Sequence, residues 1–272
     1  MKVVTHLRFK HKKIILENIQ LYPSDVYSAT ISGVFDVDKT VSLSDTVTDG
    51  SIFGYSKINS KTINLNIMVK NQNDIQSHLK INNLLAKKTL KLTLEYDYLG
   101  VIQNNITVTS KSTSEDYEGV ISIVATAYDP YFYTQEEILY LGVVFSDGLT
   151  FPTSFPINFG EETTGGTGKV INKGFVDAYP VITISGACNN FTLTNETTGQ
   201  TNIFEYSLEN NDELIIDCRP STLGITLNGI KQQNQDIVFY RCVSGDNIWT
   251  FTRDTPVSSV KNCKIALQSK IL

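Results

Sequence analysis

Residues 191–218 read FTLTNETTGQTNIFEYSLENNDELIIDC, and their pattern decides the fold. Phe191 and Leu193 alternate with Thr192 and Thr194, a period of two that sends apolar side chains to one face of a strand. Asn195-Glu196-Thr197-Thr198-Gly199 breaks the run, and Gly199 is free to take positive φ. Ile203 to Leu208 resumes the alternation, Asn210-Asn211-Asp212 turns the chain again, and Leu214-Ile215-Ile216 closes a meander. The stretch reads as strand, turn, strand, turn, strand, with no reaction centre in it.

Working outward, residues 169–272 hold eight short strand candidates with turns between them. They are Val181–Ile184, Phe191–Thr194, Ile203–Leu208, Glu213–Cys218, Gly224–Leu227, Ile237–Val243, Ile248–Thr252 and Lys264–Leu267. This cadence predicts an antiparallel β-sandwich. Upstream, residues 134–168 read as a connector, with Leu139–Phe145 as one possible strand. The run from Gly160 to Gly168 reads as a loop. Its spacing fails the phosphate-loop pattern, because Thr163 stands where a glycine is needed and Val170 follows Lys169.

Residues 1–133 read as a separate domain. Its opening 60 residues are a polar, glycine-punctuated arm of the kind that contacts other subunits, with a strand over Lys13–Gln20 and a turn-rich Asp45–Gly54. Ile63, Leu65, Ile67 and Val69 then alternate with polar neighbours. Asn71 to Asp74 supplies a helix N-cap, and Ile75, Leu79, Leu84 and Leu85 suit one helical face. Lys87 and Lys88 complement its last turn. Strands follow at Leu90–Tyr96, Val101–Thr109 and Val120–Ala127, until Pro130 stops the ladder.

The chain has 272 residues, of which 41% are hydrophobic and 19% charged, with a net charge of −5. That balance argues for ordered cores and against general affinity for nucleic acid, which needs clustered Lys and Arg. The lysines and Arg8 among the first residues interrupt any signal-peptide core, so synthesis in a cytoplasm without membrane insertion is expected. Cys188, Cys218, Cys242 and Cys263 lack metal-ligand spacing and read as buried free thiols.

Nothing in the chain spells a catalytic, cofactor or metal site. His6, His11 and His78 have no nucleophile motif beside them, and Glu136-Glu137 and Glu161-Glu162 read as solvated pairs. No enzymatic activity is expected. Among exposed-ring candidates for stacking on a sugar, Tyr240 and Trp249 are the possible saccharide contacts, with Tyr206 and Phe251 beside them. Trp249 and Phe251 share a strand face, which favours core packing over a platform.

Several pieces, weak singly, stand together in a specific order. They are the unit Thr62–Tyr96, Ala127-Tyr128-Asp129-Pro130-Tyr131-Phe132, Val170-Ile171-Asn172-Lys173-Gly174, Tyr179 to Gly186, Asn195 to Gly199, Leu214 to Asp217 and Ser244 to Ile248. In these the chain resembles the distal tail proteins of siphovirus-type phages that infect Gram-positive bacteria. The resemblance implies an N-terminal split β-barrel with one flanking helix and a C-terminal galectin-like antiparallel β-sandwich. It also implies a homo-hexameric ring at the virion tail tip, made by residues 1–133 and leaving a channel for DNA. Tail tube protein, a tail-associated tip protein and receptor-binding or baseplate proteins would be its partners. A carbohydrate-binding module attaching to cell-wall saccharide is the alternative reading.

Overall fold

The computed structural model describes residues 11–46, 51–71, 73–97, 99–113, 120–142, 165–232, 237–254 and 263–272. The chain divides into two compact units, Met1–Gln135 with Ile271–Leu272, and Glu136–Lys270. The architecture is mainly β, with one helix among the described residues.

The first unit runs β1 (His11–Leu16), β2 (Ile19–Tyr22), β3 (Tyr27–Ser32), β4 (Lys39–Asp45), β5 (Ser51–Ile58), β6 (Lys61–Val69), α1 (Ile75–Leu85), β7 (Leu90–Tyr96), β8 (Gly100–Thr113), β9 (Val120–Ala127) and β10 (Phe132–Thr134). Its sheet is ordered β2-β1-β7-β8-β9-β6-β3. β2 and β3, the ends of that path, lie against each other, so the sheet is a nearly closed barrel. β8 serves both halves. Gly100–Ile106 pairs with β7 and Thr107–Thr113 with β9, and the register shifts between Val108 and Ser110, where a bulge bends the strand.

Alternation in β6 is complete, each buried residue followed by an exposed one. The single strand expected over Lys13–Gln20 is instead the β1–β2 hairpin. Glu17 turns the chain at φ 53° and its carboxylate accepts from the Lys91 amide at 3.0 Å. Asp74 caps α1, accepting from the Ser77 amide at 3.1 Å and the Ser77 hydroxyl at 2.6 Å.

The helix differs from its expected face. Ile81, Leu84 and Leu85 are buried, whereas Ile75 and Leu79 are exposed. From Leu79 to Ile81 a helix turns by about 200°, so the two sets cannot share a face. The helix also ends at Leu85, leaving Lys87 and Lys88 beyond its last turn. Inside the barrel Lys61 is buried, donating to the Val34 carbonyl at 2.6 Å with its ammonium 5.7 Å from the Phe132 ring.

The second unit contributes β11 (Glu137–Leu141), β12 (Gly165–Asn172), β13 (Val181–Ser185), β14 (Cys188–Asn195), β15 (Gln200–Leu208), β16 (Glu213–Asp217), β17 (Gly224–Leu227), β18 (Ile230–Lys231), β19 (Gly245–Arg253) and β20 (Cys263–Leu267). One sheet is ordered β11-β20-β13-β16-β17-β18 and the other β12-β19-β14-β15, and their inner faces share one core. The unit starts at Glu136 rather than 169, because part of the expected connector over 134–168 is the strand β11. The chain then closes with β21 (Lys270–Ile271), which pairs with β10, and Ile271 is buried in the first unit's core.

Two strand expectations here need correction. Gly165 to Gly168 belongs to β12, not to a loop, and the rest of that glycine run lies outside the described residues. A Cβ on Gly168 would sit 2.6 Å from a Leu139 methyl, and one on Gly166 2.9 Å from the Gly142 carbonyl. These glycines let β12 approach β11 closely. Conversely, Ile237–Val243 forms no strand. Apart from an isolated bridge at Cys242, side-chain amides of Asn195, Gln200, Asn202 and Asn247 hold its backbone.

Candidate assembly surfaces

Among the described residues β4 and β5 pair only with each other, forming a hairpin between the neighbouring strands β3 and β6. Asn59 ties its base, with its amide donating to Asp38 and its carbonyl oxygen accepting from Thr40. Partners across the ladder set the two faces. Val41, Leu43 and Phe53 lie on one, and Ile52 and Tyr55 on the other. Gly54 is the extra residue where the register shifts between Ser42 and Leu43. Leu43 is 60% exposed, Phe53 61% and Ile52 62%.

A two-stranded ribbon is marginal in water, and apolar side chains on both of its faces call for cover. The expected polar arm is therefore apolar at its working positions. Val41 and Leu43 alternating with Ser42 and Ser44 carried that signal in the sequence. The turn-rich residues around 47–50 diluted it, and those four lie outside the described residues.

The two possible saccharide contacts are placed in the core instead. Tyr240 and Trp249 are fully buried, with ring centroids 5.1 Å apart and an interplanar angle of 60°. The Tyr240 hydroxyl donates to the Leu193 carbonyl at 2.7 Å, so its polar end is satisfied internally. Phe251 is buried beside Phe191, which stacks on Phe204 at 4.7 Å, and Tyr206 packs against the same core. Tyr240, Trp249 and Phe251 are fully buried and offer no stacking platform.

Other sequence candidates are scattered. His11 makes edge contacts with Tyr22 and Tyr96, His78 is half-buried on α1, and His6 lies outside the described residues. The Glu137 carboxylate accepts from the Ile171 amide at 3.0 Å, which makes it a structural group, while Glu161 and Glu162 lie outside the described residues. All four cysteines are free and buried. Burial pushes the Cys218 and Cys242 thiols up to about 12 and raises Cys188 and Cys263 as well. Among the described residues no group of three or more His, Cys, Asp or Glu is placed to hold a metal, and no helix is long and apolar enough to cross a membrane.

Residues 173–266 match the family described as siphovirus-type tail component, C-terminal domain. No curated protein matches the chain. Among solved structures, the Dit protein of phage SPP1, described as a paradigm of the hub adsorption apparatus in phages infecting Gram-positive bacteria, is similar with a TM-score of 0.63. The identity is 10%, over 96% of this chain and 99% of that one. Chains of the phage P2 baseplate in its activated conformation, with calcium and with strontium, give TM-scores of 0.53 and 0.52. Both are 10% identical and cover 95% of this chain and 97% of theirs. The resemblance read in the sequence therefore holds: residues 173–266 match the C-terminal domain family of siphovirus-type tail components, and the chain has the fold of the SPP1 Dit protein.

Proposed function

We propose that the protein is a structural subunit of a phage tail tip, closing with five copies of itself into a six-membered ring. The first unit builds the ring. The second is an adaptor that holds receptor-binding or baseplate proteins, while the ring joins the tail tube protein and a tail-associated tip protein. DNA passes through the central channel. The subunit is made and assembled in the bacterial host cytoplasm and ends at the virion tail tip.

The observation that carries this reading is the β4–β5 hairpin, with exposed apolar side chains on both faces that no other described residue covers. Docked onto the next subunit, it makes a heterologous contact, and such contacts must close into a ring or run on as a filament. Light scattering and electron microscopy of the full chain at micromolar concentration test it. A six-fold ring is expected, and a stable monomer would overturn the reading.

A further inference from the structure

We infer that the outer face of the β3-β6-β9 half of the barrel, with the end of β8, lines the ring's channel and meets DNA as an uncharged wall. This rests on the ring reading above. The register puts Thr30, Asn66 and Ser122 in one row across three strands, and Ser32, Asn64 and Val124 in the next. Thr62 pairs with Thr126 in a third row, and Ser112 and Ser110 extend the first two onto β8. The β6 residues of this face are all exposed, and none of these side chains is charged. Lys111, the nearby lysine on β8, turns to the helix side and donates to Asn82.

The other half of the barrel is different in kind. Its outer face carries Lys13, Lys91 and Glu95, with Lys13 and Glu95 paired at 3.3 Å. A strand face turned to bulk water ordinarily carries charges, and one buried between subunits is apolar at its centre. The β6 face is uncharged and mostly polar, with Met68 and Val120 paired at one end of it. Short hydroxyls and amides suit a surface that must stay wet beside a polyanion without gripping it. Duplex DNA carries about one charge per 1.7 Å of axis, so each lysine on the wall would add a salt-dependent contact. Carboxylates there would repel the duplex instead. The position agrees, because the proposed ring-forming hairpin leaves from the end of β3 and returns into β6, at the margin of this same face.

Graded thiol labelling of the assembled full chain tests the placement, and the buried native cysteines leave the background low. In Asn64→Cys rings a small maleimide should label every subunit, whereas a long polyethylene-glycol maleimide should reach only a minor fraction. Lys91→Cys rings, changed on the charged half, should accept both reagents fully. Full labelling of Asn64→Cys by the long reagent would put the face outside and overturn the inference, and protection from both reagents would make it a subunit contact. Parent rings should not retain duplex DNA at low salt, and salt-sensitive retention would refute the uncharged wall. A monomer in light scattering would instead sink the ring reading, and this inference with it.

Discussion

Asn202 and Val238 hold each other by two hydrogen bonds, the Asn202 amide donating to the Val238 carbonyl and its oxygen accepting the Val238 amide, each at 2.8 Å. A side-chain amide thereby does what a neighbouring strand's peptide would do. Gln200 repeats the arrangement two residues away, donating to the Phe239 carbonyl and accepting from the Arg241 amide. Asn172 and Asn195 complete the hold by donating to the Cys242 and Arg241 carbonyls. The segment over 237–243 keeps its backbone satisfied without joining a sheet.

Removing one of these amides should be felt. Asn202 is nearly fully buried, and Asn202→Ala leaves both Val238 groups to find water, at a cost of about 1–3 kcal/mol. A melting temperature unchanged from the parent would contradict this account.

Trp249→Ala should cost more. Trp249 is fully buried against Tyr240 in the second core, and deleting such a ring costs about 3–5 kcal/mol. Thermal melting of the full chain should show the loss. A variant that melts like the parent would mean that the ring is not packed.

Changes in the hairpin should separate assembly from folding. Leu43→Ser with Phe53→Ser removes two side chains that are about three-fifths exposed. Melting of the monomeric unit should barely move, since exposed positions change stability by about 0.5 kcal/mol or less. Ring yield by sedimentation should fall sharply, and intact rings at parent yield would refute the hairpin's role.

Acid should loosen the second unit through Asp217. Burial would raise this carboxyl, but hydrogen bonds from Arg219 and Thr222 outweigh it and hold the group below its ordinary value of 3.8. A depressed carboxyl contributes stability above its unfolded value and loses it as pH falls through the folded one. Asp217→Asn should therefore show a smaller drop in melting temperature than the parent when the pH is taken from neutral to below the carboxylate range. Equal drops in both proteins would remove Asp217 from the acid response.

The thiols should be silent in the folded protein. With burial raising all four, little thiolate exists to react at mildly alkaline pH. A chromogenic disulfide reagent should find no thiol in the native chain and four in denaturant. Rapid native reaction would show that the second core opens.

What the sequence could tell depended on whether a signal was local. The alternation in Lys61–Val69 is complete within nine residues and reads directly as a strand. The turn at Asn195 is local too, its side chain accepting from the Thr197 amide and Gly199 taking φ 69°. The strand-like Ile237–Val243 misled because all but one of the side chains holding it, Asn247 excepted, lie 36 residues away or more, with no pattern of their own. Glycines 165, 166 and 168 misled for the opposite reason. A residue without a side chain looks like a loop, yet here it answers to strands packed close by.

The closing residues have a consequence for synthesis. Ile271 belongs to the first unit's core, yet it follows the whole of Glu136–Lys270 in the chain. During translation the amino-terminal barrel can gather its strands early, as leading domains generally do. Its last core residue leaves the ribosome only after the second unit has been made. Completion of the barrel thus reports that the second unit has been translated, and a chain broken off within that unit carries an unfinished barrel.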